Sequence, residues 1–356
     1  MRRFGVAALA LGLLACEMPD MGAPTDAGAG SGDMGPVVDG GLPGDEALRI
    51  NQMQMRATVN SYHDFVFDVL PEVAWRHPRP IEQMQNGIRV FDFDVAGDRV
   101  SWIGIQPQTV EWAGDAVNNC GFVRDSGEFI SGDLISCLWD LRDWSDDHPD
   151  HQLIVVLISE ADRFDQPPQL MWQLDDLESH ILIGLDRERL LVPADLRGEH
   201  PSVWAAIQAD GWPTVAATRG KFMVVLNDRG PTRLTYLMEG GEDPDDRLMF
   251  VIGDPDLAGD EALGDEVVFT FEPDELWHFE TDMAHVERMR ELIGRGFLVH
   301  AITDDPEKAG QLRREGVHLI GTRFPDAVLG PAGEHPTACN PVTAPVWCDD
   351  GMFEPR

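Results

Sequence analysis

At 356 residues the chain is long enough for one large domain or two ordinary ones, and a single α/β barrel takes about 250. Acidic residues number 63 against 27 basic ones, a formal net charge of −36 that repels nucleic acid and anionic membrane surfaces and favours divalent cations. That balance argues against nucleic-acid binding.

The N-terminus carries Arg2 and Arg3, an apolar run from Val6 to Ala15, and Cys16. This is the layout of a bacterial signal peptide, with Leu13, Leu14 and Ala15 before Cys16 reading as a lipobox. Residues 1–16 are therefore expected to be a lipoprotein signal in which Cys16 is lipidated. The alternative is an ordinary cleaved signal with an incidental cysteine. The apolar run is too short to span a bilayer as a permanent helix. Residues 17–47 are mostly Gly, Asp, Ala and Pro and cannot bury enough surface to fold, so they read as a flexible tether. The expected location is the bacterial cell envelope, at the outer membrane or surface, with membrane contact only through the anchor.

The folded part is expected from Leu48 to about residue 330. Met53, Met55 and Ala57 alternate with Gln54, Arg56 and Thr58 as in a short strand, which breaks into the polar cluster Asn60, Ser61, Tyr62 and His63. Polar groups massed at a strand's C-terminal end are where barrel enzymes keep their chemistry. His77 to Gly87 reads as loop and helix, stopped by Gly87. In Ile88 to Val95, Phe91, Phe93 and Val95 face one way and Val90, Asp92 and Asp94 the other; two carboxylates on one strand face are costly unless a cation or donors meet them.

Arg99 to Ile105 reads as a third strand, and the segment Gly132 to His151 sets Leu134, Cys137, Leu138, Leu141 and Trp144 at helical spacing, with His148, Pro149 and Asp150 ending the helix. Gln152 to Ser159 is a continuous apolar run, as in a strand buried on both faces, and it finishes at Glu160. Leu170 to Leu185 predicts a helix, Lys221 to Leu226 and Arg247 to Ile252 strands, and Asp282 to Ile293 a helix. Gly296 to Ile302 predicts a strand, Pro306 to Glu315 a helix, and Val317 to Gly321 a last strand. Strand and helix alternate, which argues a parallel α/β architecture. An open doubly wound sheet competes, but no glycine-rich phosphate turn follows the first strand. Residues 331–356 read as an irregular tail.

Export implies an oxidising compartment, where the four cysteines beyond Cys16 can pair. Cys120 with Cys137 and Cys339 with Cys348 are nearest neighbours, one of three possible connectivities. No CxxC spacing occurs, which argues against a zinc site.

RATVNSYHD, HPRPIEQMQNGIRVFDFDV, ISCLWDLRDWSDDHPDHQLIVVLISE, GWPTVAATRGKFMVVL and GVHLIGTRFP resemble, in order and spacing, segments of the bacterial calcium-dependent phosphatidylinositol-specific phospholipase C family. The resemblance runs from Ile50 to about Pro325 and implies a single-domain TIM-type α/β barrel, a phosphoric diester hydrolase activity in lipid metabolism, and calcium. It assigns the cation to Asn60, Asp92, Asp94 and Glu160, with Asp92 standing where glutamate is usual. Four oxygen donors, three of them anionic, suit such a hard cation. The competing reading is that Asn60 caps a turn and the acids are solvated.

The family motif usually reads T-H-N-S-Y-H, and its first histidine is Val59 here. The second aligns with RVSWIGIQP, where Trp102 or a neighbour takes its place. His63 is the local histidine that remains, and its competing role is to hold the loop by hydrogen bonds. Val299 to Thr303 reads VHAIT where the family has arginines, and Arg323 stands where aspartate is usual. Ser61 has no histidine and acid in a nucleophile arrangement, and the tryptophans read as packing.

The resemblance therefore implies a calcium-dependent phosphodiesterase acting on a phosphodiester or phosphoinositide-like small molecule, and a monomer is expected. The alternative is a catalytically inactive, lipid-anchored barrel that binds a ligand or partner. Losing one general acid or base costs about 10²–10⁴-fold, and losing two leaves little rate.

Overall fold

The computed structural model describes residues 47–65, 75–97, 103–105, 117–123, 129–131, 133–160, 169–228, 231–238, 247–255, 264–271, 285–331 and 336–348. All of them belong to one compact unit, Gly41–Arg356. The leader, Cys16 and most of the tether lie outside the described residues.

Eight strands form the frame: β1 (Met53–Thr58), β2 (Val90–Gly97), β3 (Ile154–Glu160), β4 (Phe222–Leu226), β5 (Phe250–Gly253), β6 (Glu266–Phe271), β7 (Leu298–Ile302) and β8 (Leu319–Thr322). Each pairs in parallel with the next in the chain, and β8 pairs in parallel with β1. The sheet is therefore a closed TIM-type barrel, and the β1–β2 pairing that closes it excludes the open doubly wound alternative.

Helices α1 (Pro80–Gln85), α2 (Leu134–Asp147), α3 (Gln169–Leu185), α4 (Pro193–Arg197), α5 (Val203–Asp210), α6 (Pro231–Met238), α7 (Val286–Gly294), α8 (Pro306–Arg314) and α9 (Pro325–Val328) connect the strands. Among the described residues, none of them is long and apolar enough to cross a membrane.

Strand alternation sorts the side chains into two layers. Met55, Ala57, Val90, Leu157, Val225, Val268, Leu298 and Leu319 fill the barrel interior. Phe91, Phe93, Val95, Val156 and Ile158 point outward to meet Leu134, Cys137, Leu138 and Leu141 of α2 and Leu174 and Leu177 of α3. The five α2 residues expected on one side of that helix are all buried. Asp133 caps it by accepting from Ser136 N at 2.9 Å.

The structure differs from the sequence expectation in several places. The segment Arg99–Ile105 does not supply a barrel strand: its described part, Ile103–Ile105, runs antiparallel to the end of β2. A barrel strand appears at β6, for which the sequence predicts none, and α4, α5, α6 and α9 likewise have no predicted counterpart.

The tail is not wholly irregular either. β1 meets β2 through only Ala57 and Thr58, against Val90 and Phe91. The gap beside Met53–Met55 is taken by a ninth strand, β9 (Thr337–Cys339), which runs antiparallel to it. Thr337 donates to Gln152 Oε1 at 2.5 Å and Asn340 N to Gln52 O at 2.9 Å. A three-residue strand has too short a period to announce itself in sequence, and its partners are nearly 300 positions away.

Candidate functional site at the barrel mouth

β1 ends at Thr58 and the chain turns at once. Asn60 takes a left-handed backbone, φ 47°, which asparagine tolerates better than most L residues, and His63 N donates to Asn60 O at 2.8 Å to close the turn. Ser61 stitches the turn to β2: its N donates to Asp92 O at 2.8 Å, and its Oγ accepts from Asp92 N at 2.9 Å and meets Thr58 Oγ1 at 2.7 Å. A hydroxyl held this way is structural, in keeping with the absence of a nucleophile arrangement.

Two amides brace the turn from outside. Gln83 Nε2 donates to Ser61 O at 2.6 Å, and Asn119 Nδ2 donates to Ser61 O at 2.9 Å and Pro78 O at 2.7 Å. Asn119 N donates to Tyr62 O at 2.8 Å. The next residue, Cys120, is bonded to Cys137 of α2 with Cα atoms 4.8 Å apart, so the disulfide anchors the brace. Cys339 and Cys348 form the second disulfide, 6.0 Å between Cα atoms. Of the three connectivities open in the sequence, the nearest-neighbour one is realised.

The turn sets Asn60 against the acids of β2. Asp92 and Asp94 follow Val90 on the inward face, and Asn60 and Asp92 are 5% and 6% exposed while Asp94 is half-buried. Asn60 N donates to Asp92 Oδ2 at 3.3 Å and Tyr62 OH to Asp94 Oδ2 at 3.2 Å. Glu160 ends β3 in register with Val95; its side chain lies outside the described residues.

No group of three or more His, Cys, Asp and Glu side chains that could hold a metal occurs among the described residues. The described donors are thus one amide and two carboxylates. Their chemistry, all oxygen and all near the C-terminal rim of the barrel, fits a hard cation.

The histidines are arranged differently. Val59, 4% exposed, donates its N to Thr322 O at 3.2 Å. His63, 3% exposed, lies in a short strand and stacks on Trp75 at 3.9 Å between centroids. His77 Nε2 meets Val59 O at 3.0 Å, so it donates there, and burial lowers its pKa to about 4. His300 enters the interior from β7 at 1% exposure, and burial lowers its pKa to about 3. The point a Cβ on Gly321 would take is 2.9 Å from His300 Nε2 and 3.3 Å from Val59 Cγ2. Trp102 lies outside the described residues.

The structure therefore gathers Asn60, Asp92 and Asp94 and buries His63 against Trp75. Sequence reasoning missed Gln83, His77, Asn119 and His300. The last two carried a faint signal: Asn119 precedes a disulfide cysteine, and His300 is a lone polar residue in an otherwise apolar strand.

A sequence model described as Phosphoinositide phospholipase C, Ca2+-dependent, matches residues 48–317. No curated protein sequence matches the chain at a significant level. Among solved structures, a calcium-dependent phosphoinositol-specific phospholipase C from a Gram-negative Pseudomonas species aligns with TM-score 0.62 at 16% identity, covering 83% of this chain and 97% of that one. A Ca2+-dependent phosphatidylinositol-specific phospholipase C from Streptomyces antibioticus aligns with TM-score 0.58 at 17% identity, covering 83% and 100%. At such identities the structural likeness speaks to the fold.

Proposed function

The chain belongs to the calcium-dependent phosphoinositide phospholipase C family, and on that premise we propose that its barrel mouth engages a phosphoinositide-like phosphodiester through a calcium ion, with binding prevailing over turnover. The observation that carries the reading is the convergence of Asn60, Asp92 and Asp94 at the C-terminal rim, the first two almost fully buried. These three residues, with Glu160, would hold the ion, which supplies positive charge against a phosphoryl oxygen.

Binding is favoured over catalysis by what surrounds that cluster. Val59 cannot move a proton, and the side chain of His63 is packed on Trp75. The family's phosphodiesterase chemistry is the second reading, and it requires a proton relay rebuilt from other groups. In that case Asp94→Asn abolishes calcium-dependent turnover, and Val59→His raises it.

The experiment that tests the proposal is a melting curve of the purified protein in calcium and in chelator, repeated for Asp94→Asn. An occupied site stabilises the fold by RT ln(1 + [L]/Kd), so the wild type should melt higher in calcium and the variant should not. Identical curves for the wild type would refute the cation assignment.

The two disulfides support passage through an oxidising compartment. With the layout Arg2, Arg3, Val6–Ala15 and Cys16, this supports export as a lipoprotein anchored through Cys16.

A further inference from the structure

We propose that Arg323 recognises the phosphate group of the ligand at the barrel mouth and that Asp304 is its positioning partner. The inference rests on the reading above, that the mouth takes a phosphodiester.

Gly321 lies on the inward face of β8, because a Cβ there would meet His300, Val59 and Ile302. Arg323 follows two positions later, just past the end of β8, and so stands at the same rim of the barrel. β1 is flanked by β2 and β8, with Thr58 paired to Phe91 on one side and to Thr322 on the other. The next residues along, Asp92 and Arg323, therefore stand on opposite sides of Val59 and Asn60. The mouth has an acidic side suited to a cation and a guanidinium side suited to an oxyanion.

The guanidinium is held in place. Asp304 Oδ2 accepts from Arg323 Nε at 2.5 Å, and Asp304 Oδ1 accepts from Arg323 N at 2.9 Å and Thr322 Oγ1 at 2.7 Å. Both side chains are largely withdrawn from water, at 15% and 12% exposure. An ion pair so desolvated adds little stability, but it fixes a planar fork whose geometry matches phosphate. The neighbouring strand offers no competing cation: Val299 to Thr303 reads VHAIT, and its histidine is buried. Asp92, Asp94 and Asp304 would otherwise repel an anionic ligand.

The test is calorimetric titration of the full-length protein in calcium with myo-inositol 1-phosphate, inorganic phosphate and neutral myo-inositol, comparing wild type, R323M and R323K. R323M should lose about 10- to 100-fold in affinity for both phosphate probes, the range expected for charge-assisted hydrogen bonds, while myo-inositol binding is unchanged. R323K, which keeps the charge next to Asp304 but not the fork, should fall between, and it carries the test should R323M not fold. Tighter binding of the inositol phosphate than of inorganic phosphate identifies a headgroup as the source. Wild-type binding of inositol 1-phosphate that R323M and R323K retain in full would overturn the role of Arg323 alone. A wild type that binds neither phosphate probe would overturn the phosphodiester reading beneath it.

Discussion

Tyr62 donates its hydroxyl to Asp94 Oδ2 across 3.2 Å, tying the turn after β1 to the outermost acid of β2. The same turn presents Asn60, so one four-residue segment both supplies a donor and orients an acid. Partners of this kind around a metal site are worth about 10- to 100-fold in affinity. Tyr62→Phe should therefore weaken calcium binding about tenfold while leaving the melting temperature in chelator nearly unchanged, as measured by calcium titration. Equal affinity in the variant would show that the hydroxyl does not orient Asp94.

Much of this arrangement was legible in the sequence. The inward position of Asp92 and Asp94 follows from period-two alternation with Val90, and it holds in β2. The helical side of α2 was likewise readable from spacing, whereas the sequence left three disulfide connectivities open and the structure realises the nearest-neighbour one. What could not be read depends on long-range partners. Asn119 finds Ser61 O across 58 positions and Thr337 finds Gln152 across 185. The ring partner of His63 was equally hidden, because its stacking on Trp75 is set by a small sheet outside the barrel. β6 is a different kind of miss, since Val267, Val268, Phe269 and Phe271 are the β-branched and aromatic residues that favour a strand.

Four buried histidines make stability depend on pH. Burial lowers the pKa of His77, His151 and His318 from 6.5 to about 4 and of His300 to about 3. His318 shows why: Nδ1 accepts from Val299 N at 3.1 Å while Nε2 donates to Asn51 O at 2.9 Å, an arrangement open only to neutral imidazole. A group whose folded pKa is depressed binds more protons when unfolded at acidic pH. Its contribution is complete above the unfolded value of 6.5 and is lost as pH falls from there toward 4. Each histidine steepens the fall by about 1.4 kcal/mol per pH unit inside that window. Melting curves between pH 7.5 and 4.5 should show this decline, and His318→Gln should flatten it; a flat wild-type profile would contradict it.

Gly321 is where β8 lets His300 and Val59 approach each other. Gly321→Ala places a methyl 2.9 Å from His300 Nε2, and overpacking of this kind costs about 1–3 kcal/mol. The cost should shrink in a His300→Ala background, a coupling that a double-mutant cycle in denaturant would read. Additive effects would mean that the two side chains do not share this space.

The Cys120–Cys137 bridge should matter to the site as well as to the fold. Opening a loop of this length costs about 3 kcal/mol in the chain-entropy picture. Because Asn119 adjoins Cys120 and holds Ser61 and Tyr62, Cys137→Ser should also weaken calcium binding. The corresponding change at Cys348 should destabilise the protein but leave calcium affinity nearly intact, since its partner Cys339 pairs with Met53, at the end of β1 away from the mouth.

The proposed site holds a phosphodiester through calcium without turning it over efficiently. Phosphorus NMR of glycerophosphoinositol with the full-length protein, in calcium and then in chelator, reads both halves at once. The phosphodiester resonance should broaden in calcium and recover in chelator, with no new phosphate species accumulating. A growing cyclic phosphodiester or phosphomonoester signal that Asp94→Asn abolishes would show an active enzyme, and a resonance indifferent to calcium would remove the site.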